Sequence, residues 1–314
     1  MLKAEATKTW KLSSPIILGE LTQMALAIID AAMVGSINYK HLAAASLVNS
    51  VMNIPFILGV GITISVSQLV STAHGRKNGF LVSHYLFNGF ILCTVTAMLI
   101  SLGLILGEKL LFNLKQDPEV ARLAVPYFRI MSLSLIPSLM FFALKHFTDA
   151  LEKTRTAMIL SLLSLPINII LNWLLIYGNW GFPRLELIGA GLGTLITRFL
   201  ILISLITIVL IHPIFRRYIL IWKKQWFISK KTLLELLRIG LPVSLQLVME
   251  LSAFAISGII IGTIGAVELA AHQIAISLFV PIQLCTTIPG EKCTTYQGVN
   301  VVSFCLIMLG YLCL

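Results

Sequence analysis

The sequence predicts an all-α protein, a polytopic bundle of membrane-spanning helices. Of its 314 residues, 58% are hydrophobic and 11% are charged, and the mean hydropathy is +0.95, whereas soluble domains are about half apolar and a quarter charged. The apolar residues also form runs of about 20 or more, the length that crosses a hydrocarbon core of about 30 Å. In addition, the two halves of the chain share an internal repeat.

Nine apolar runs stand between polar breaks, and each predicts a helix. They lie near residues 13–37, 42–73, 84–107, 121–146, 156–178, 187–212, 236–263 and 267–288, with a shorter ninth run at 299–314. The breaks carry loop signals, such as HGRKNG at 74–79 and KQDPE at 115–119. Because the first run is long and lacks a small-x-small cleavage site, we expect it to stay in the membrane.

The distribution of basic residues predicts the orientation of the spans. With the N-terminus in the cytoplasm, sixteen Lys and Arg residues fall in inside segments and four in outside loops. This bias follows the positive-inside rule and predicts a cytoplasmic N-terminus. The net charge of +10 then reflects topology and contact with membrane lipids, and we expect no nucleic-acid partner, since no basic aromatic platform accompanies the charge.

The internal repeat predicts the architecture. Residues 11–45 align with residues 238–272 without a gap at an offset of 227, so that Pro15 meets Pro242 and Gly35 meets Gly262. Six spans lie between the two copies, an even number, so both enter the membrane in the same direction. Two such lobes facing each other are the plan of an alternating-access transporter.

Three domains follow from this repeat. We expect a complete six-helix N-lobe, a cytoplasmic linker and a partial C-lobe of helices seven, eight and nine, over residues 1–212, 213–235 and 236–314 respectively. The Arg, Lys and Trp residues of the linker predict an amphipathic segment at the membrane interface.

Two acids interrupt apolar spans and are the leading candidates for a coupling site. Asp30 lies in the first span and Glu250 in the seventh. An ionised carboxylate at mid-bilayer costs several kcal/mol unless it is solvated or paired, so such an acid suggests a function. A carboxylate at that depth could exchange a proton or bind Na⁺ with other oxygens. A structural acid that is hydrogen-bonded within the bundle is the alternative.

Polar residues elsewhere in the spans extend the candidate site. Asn168 and Asn172 are four residues apart and so share one helix face, just after Pro166, which frees backbone carbonyls. Their amides could bind a cation or serve as structural hydrogen bonds between helices. Weaker candidates, for a substrate cavity, are Arg198, Phe141 and Gln246, for which packing or pairing inside the bundle is the alternative.

These segments resemble the multidrug and toxic compound extrusion (MATE) antiporters of the NorM type. The resemblance covers about residues 10–279 and rests on SPIILGELTQMALAIIDAAMVG, on the segment from FTDALEKTR to LIGAGLGT, and on GLPVSLQLVMELSAFAISGIIIGTIGAVELAAHQIA. It implies twelve helices in two lobes, which export amphipathic and often cationic organic compounds in exchange for Na⁺ or H⁺, with no cofactor. It further implies a monomer in the bacterial inner membrane, and a cation-coupling site at Asp30, Asn168, Asn172, Thr194 and Glu250.

The end of the chain departs from the family pattern. The second repeat reaches TYQGVNVVS, the counterpart of RKNGFLVS, at an offset of only about 219, and CTTIPGEKCTTYQG would break a helix at membrane depth. From the family plan we expect helices ten to twelve to be missing. From the sequence we therefore expect a C-terminally truncated or frame-disrupted copy.

Other function classes find little support in the sequence. It has no HExxH, GxSxG or Walker motif, so we expect neither an enzyme nor an ATP-driven pump. The five cysteines form no CxxC pair, and no metal is expected beyond Na⁺ at Asp30. Two alternatives stay open: a flippase for a lipid-linked precursor, which a basic cavity would favour, and a membrane fragment that does not transport.

Overall fold

The described residues of the chain form helices and the turns between them. The computed structural model describes residues 2–108, 118–223 and 227–264, and no strand occurs in these ranges. The helices are α1 (Leu2–Gly35), α2 (Tyr39–Gly75), α3 (Gly79–Leu106), α4 (Pro118–Ala150), α5 (Thr154–Tyr177), α6 (Glu186–Ile211), α7 (Pro213–Lys223) and α8 (Lys230–Ile264), with a 3₁₀ turn at Asn179–Gly181.

Within the described ranges, seven helices are long and apolar enough to cross a membrane. They are all of the helices except α7, which has 11 residues. The predicted all-α membrane fold is therefore confirmed, and the first seven predicted spans coincide with these helices. The eighth and ninth predicted spans, 267–288 and 299–314, lie outside the described residues.

Several helices extend beyond the apolar runs that predicted them. α2 covers Tyr39–Gly75 although its apolar run is 42–73, and α8 begins at Lys230, inside the predicted linker. Apolarity marks the part of a helix that lies in lipid, whereas the backbone hydrogen bonds continue into the polar ends. The division into two lobes and a linker remains a prediction.

Local sequence signals explain where the helices begin and end. Asn38 caps α2 by accepting from the N–H of Lys40 at 3.3 Å, and Asn78 caps α3 by accepting from the N–H of Leu81 at 3.2 Å. Such caps satisfy backbone donors that have no partner within the helix. α5 ends at Gly178, whose φ of 73° is left-handed and favours glycine.

The chain divides into two compact units. One unit is Thr22–Leu245; the other comprises Met1–Leu21 and Gln246–Leu314, of which residues 2–21 and 246–264 are described and helical. The interior of the Thr22–Leu245 unit holds two apolar clusters. Phe147 and Phe215 are fully buried in one, and Phe128 and Ile176 are buried in the other.

Polar side chains of α3 bind the segment that leads from α7 to α8. Ser83 Oγ donates to the carbonyl of Tyr218 at 2.6 Å, and Asn88 Oδ1 accepts from the N–H of Ser229 at 3.0 Å. His84 Nε2 lies 2.9 Å from the hydroxyl of Thr232. We call Ser83, His84 and Asn88 the linker clamp, because together they fix the end of α7 and the start of α8 on α3.

The first half of α8 also crosses α2 at backbone distance. Ser244 Oγ lies 2.8 Å from the carbonyl of Leu58, and a Cβ on Gly61 would lie 2.6 Å from the backbone nitrogen of Ser244. Glycine is therefore needed at position 61. Small residues at a helix crossing let two backbones approach closely, which is a common form of packing in membranes.

Candidate functional site

Asn168 and Asn172 form the amide pair at the centre of the candidate site. Their spacing of four places both on one face of α5, and they are 1% and 0% exposed respectively. Nδ2 of Asn172 donates to Oδ1 of Asn168 at 2.9 Å. The two amides therefore form a buried, hydrogen-bonded polar pair on one face of an otherwise apolar helix.

The carboxylate of Asp30 joins this pair from α1. Asn172 Nδ2 donates its second hydrogen to Asp30 Oδ1 at 2.6 Å. An NH₂ group has two hydrogens, so it can bridge the carboxylate and Asn168 at the same time. A bond of this length to a charged acceptor belongs to the stronger class of protein hydrogen bonds. Asp30 itself is half-buried.

Thr194 approaches the same carboxylate from α6, at a longer distance. Its Oγ1 lies 3.4 Å from Asp30 Oδ2 and 3.0 Å from the carbonyl of Ala190. A hydroxyl has one hydrogen, so it serves one of these acceptors at a time. The shorter distance favours Ala190, which makes Thr194 the weaker of the two partners of Asp30.

Two glycines of α6 allow α5 to come close enough for these contacts. A Cβ on Gly189 would lie 2.5 Å from the carbonyl oxygen of Leu175, and a Cβ on Gly193 would overlap Oδ1 of Asn172. The pair forms a GxxxG motif in GAGLG at 189–193, which permits close helix crossings in membranes. The two glycines thus determine how closely α5 approaches α6, and with it the position from which Asn172 contacts Asp30.

The site contains oxygen atoms suited to a hard cation. Asn172 Oδ1 and Asn168 Nδ2 are buried without a hydrogen-bond partner in the described part of the chain. Rotating the Asn172 amide by 180° would exchange its two atoms and turn an oxygen toward Asp30. A carboxylate with amide oxygens is a donor set that suits Na⁺, and a carboxylate alone can take a proton. In the described residues no group of three or more His, Cys, Asp or Glu side chains could hold a metal ion.

A cavity opens beside the amide pair. It is small, with a volume of about 30 Å³ that the centre of a water molecule can occupy. Its polar lining includes Asn168, Thr194 and Arg198, and its aromatic lining is Phe141 and Phe142. The guanidinium Nη1 of Arg198 donates to Ser134 Oγ at 2.6 Å. Two of the weaker sequence candidates, Phe141 and Arg198, therefore line one cavity together.

The remaining candidates belong to the other compact unit. Gln246 and Glu250 lie on α8 in the Gln246–Leu314 part of the chain, and both are half-buried. Their participation in a cation site or a substrate cavity remains a prediction.

Sequence reasoning missed three contributors to the site. Ser134 holds Arg198, Thr197 lines the cavity, and Gly193 makes room for Asn172. The signal for Thr197 was available, since it is three residues after Thr194 and so lies on the same helix face. Nothing in the sequence points to Ser134, which is 64 residues away from Arg198.

Comparison with known proteins identifies the family. Residues 15–174 match the MatE family model. The probable multidrug resistance protein NorM of Rhodopseudomonas palustris is 32% identical over 276 residues, which cover 88% of this chain and 58% of that protein. The multidrug resistance protein NorM of Aliivibrio fischeri is 27% identical over 322 residues, which cover 98% and 69% respectively.

Solved structures share the fold. An outward-facing multidrug resistance transporter of the MATE family superposes with a TM-score of 0.78 at 20% identity, covering 90% of this chain and 63% of that one. A MATE structure in complex with MaL6 gives a TM-score of 0.80 at 19% identity, covering 90% and 62%. The chain spans 56% to 59% of the length of three of the curated relatives. By its sequence match and its fold, this chain belongs to the MatE family, and within that family to the NorM type.

Proposed function

We propose that this chain is part of a secondary antiporter that exports amphipathic or cationic organic compounds in exchange for Na⁺ or H⁺. The relatives in Rhodopseudomonas palustris and Aliivibrio fischeri are named as multidrug resistance proteins, and membership of a transporter family favours transport over catalysis. Coupling requires a group in the membrane that can bind the ion and release it again. Asp30 is that group in this proposal.

One observation carries the proposal: Asp30 is a carboxylate in an apolar helix whose nearest partners are neutral. Asn172 donates at 2.6 Å and Thr194 lies at 3.4 Å, and neither neutralises the charge. A carboxylate kept in the membrane without direct charge pairing is costly to hold, which favours a functional reason for its presence. A cation that binds there, whether Na⁺ or H⁺, removes that cost.

The proposal extends to the rest of the chain. Glu250 and Gln246 are assigned to a second site in the C-lobe, with Glu250 as its acid. The N-lobe, linker and C-lobe keep the boundaries 1–212, 213–235 and 236–314. We place the protein in the bacterial inner membrane as a monomer with a cytoplasmic N-terminus, in contact with lipids and with no cofactor beyond the coupling ion.

The test is the charge-removing substitution Asp30→Asn, which keeps the shape of the side chain. Ethidium transport is measured in proteoliposomes under a Na⁺ gradient and, separately, under a proton gradient. Each variant is made in the 314-residue chain and in a chimera that joins residues 1–264 to the C-terminal remainder of the Rhodopseudomonas palustris relative. The control is Glu119→Gln, which removes an exposed acid paired with Lys40, a kind of contact that contributes little.

We expect Asp30→Asn to abolish gradient-driven export and Glu119→Gln to leave it unchanged. Coupled export at the wild-type rate by Asp30→Asn, in whichever protein transports, would contradict the assignment of Asp30. Export by the chimera alone would mean that the 314-residue chain is a non-transporting fragment. Movement of a lipid-linked precursor without ethidium transport would favour the flippase, an alternative suggested by the basic Arg198 in the cavity.

A further inference from the structure

Arg198 is a second intramembrane charge that the proposed function leaves without a role. It lies on α6, four residues after Thr194, so the two side chains share one helix face. Both line the same cavity. A charged residue within a membrane span faces the protein interior or a water-filled cavity and usually has a partner. Asp30 is an acid on this side of α6, since the hydroxyl of Thr194 lies 3.4 Å from its Oδ2.

Ser134 accepts a hydrogen bond from the guanidinium of Arg198. Nη1 of Arg198 donates to Ser134 Oγ at 2.6 Å, and Ser134 is fully buried on α4. In the described part of the chain, no hydrogen bond or ion pair joins Arg198 to Asp30. Thr194, on the same face of α6 as Arg198, lies 3.4 Å from Asp30 Oδ2, so the two charges are near enough to attract through space. Tyr127 and Lys145 of α4 are further titratable groups on this side, since the Tyr127 ring contacts α6 at Gly191 and Lys145 lies over the Phe142 ring.

We infer that Arg198 is a built-in counter-cation of Asp30, which Ser134 keeps out of direct contact so that the carboxylate stays open to the coupling cation. The inference rests on the proposed function and gives Arg198 a positioning role in it. Electrostatic attraction by Arg198 lowers the free energy of the ionised carboxylate of Asp30 when no cation is bound. The lack of a direct bond leaves the carboxylate oxygens available for an entering ion.

This arrangement sets how tightly the site holds its cation. An entering Na⁺ or H⁺ is attracted by Asp30 and repelled by Arg198, so the site releases the cation more readily than an isolated acid would. Two unit charges within about 10 Å of each other, at an effective dielectric constant of about 20, change a binding constant by about tenfold or more. Removing the charge of Arg198 should therefore strengthen cation binding at Asp30, whereas structural damage would weaken it.

The experiment measures protonation and ion binding at Asp30 directly. Dicyclohexylcarbodiimide modifies protonated carboxylic acids in apolar sites, and peptide mass spectrometry reports the modification at Asp30 alone. The purified 314-residue chain is labelled at a fixed near-neutral pH without Na⁺ and then over a Na⁺ series at constant ionic strength. The variants are Arg198→Gln, which removes the charge, and Arg198→Lys, which keeps it.

A control tests whether any loss of a basic residue has the same effect. Arg129 lies on α4, forms a bidentate pair with Glu108, and is absent from the cavity lining. Arg129→Gln should therefore label Asp30 at the wild-type rate.

We expect Arg198→Gln to label Asp30 at least about tenfold faster without Na⁺, with Arg198→Lys within about threefold of wild type. If Na⁺ is the coupling ion, half-protection should also occur at a Na⁺ concentration about tenfold lower. Equal labelling of Arg198→Gln and wild type would overturn the inference. So would equally fast labelling of Arg198→Gln and Arg198→Lys, because access to the reagent would then explain the effect.

The two proposals fail in different ways. Coupled export by Asp30→Asn contradicts the proposed function and does not depend on how Arg198 variants are labelled. A normal dependence of export on Asp30, together with unchanged labelling in Arg198→Gln, leaves the proposed function in place and rejects the role of Arg198.

Discussion

Gly193 of α6 faces Oδ1 of Asn172 of α5 so closely that a Cβ on the glycine would overlap the amide oxygen. The same amide donates to Asp30 through Nδ2. The absence of a side chain at position 193 is therefore part of the geometry that brings Asn172 to the carboxylate.

Gly193→Ala should displace the amide of Asn172 and destabilise the protein. Overpacking a close contact costs about 1 to 3 kcal/mol, and we expect a fall of several degrees in the unfolding temperature measured by nanoscale fluorimetry. The control is Gly103→Ala on α3, where a Cβ would meet nothing within 4 Å. An equal unfolding temperature for the two variants would show that the α5–α6 contact adjusts freely.

Asn172→Ala should make Asp30 easier to protonate. The hydrogen bond from Asn172 favours the ionised carboxylate, and such a bond to a charged group is worth about 1.5 to 3 kcal/mol. We expect carbodiimide labelling of Asp30 to be about tenfold faster at a fixed near-neutral pH. Asn179→Ala is the matched control, since Asn179 is half-buried and its side chain donates only to the carbonyl of Trp173 among the described residues. Unchanged labelling in Asn172→Ala would mean that its 2.6 Å contact does not influence the charge of Asp30.

Asn88→Ala should loosen the linker. Asn88 Oδ1 accepts from the N–H of Ser229 at 3.0 Å, and its loss removes one bond of the linker clamp. Limited trypsin digestion should then cut between residues 216 and 231 several times faster, because Arg and Lys are frequent there. Ser71→Ala is the control, because among the residues that the structure describes its exposed hydroxyl bonds only to the carbonyl of Gln68. Equal digestion of both variants would show that the clamp does not restrain this segment.

Gly61→Ala should separate α8 from α2. Its Cβ would lie 2.6 Å from the backbone nitrogen of Ser244, and a backbone atom cannot rotate away as a side chain can. We expect a loss of about 1 to 3 kcal/mol in stability, read as a lower unfolding temperature. Gly75→Ala serves as the control, because a Cβ at the end of α2 would meet nothing within 4 Å. Equal unfolding temperatures for Gly61→Ala and Gly75→Ala would show that α2 and α8 can move apart at this crossing without loss of stability.

Most of the fold could be predicted from the sequence because the lengths of apolar runs report directly on membrane spans. The relation between Asn168 and Asn172 was also predictable, since a spacing of four fixes a shared helix face. The family resemblance added Asp30 and Thr194 to the same group, and the structure places the four side chains together. Their role in coupling remains a prediction.

Other parts of the site depend on how helices are rotated against each other. The bond between Arg198 and Ser134 joins α6 to α4, and no periodicity in either helix selects that pairing. The linker clamp could not be predicted from the sequence for a related reason. His84 and Asn88 lie in an apolar run, where a sequence pattern cannot tell an interhelical contact from a polar group facing solvent.

The linker clamp and the α2–α8 crossing bear on how the chain is made. Every bond in them joins residues no later than Leu245. During translation, the start of α8 can therefore dock on α2 and α3 as soon as it leaves the ribosome, because these contacts use no residue after Leu245. α8, the first helix of the second repeat, then enters the membrane next to helices that are already in place. Contact with α2 and α3 therefore helps to set the direction in which α8 inserts, in addition to the distribution of basic residues.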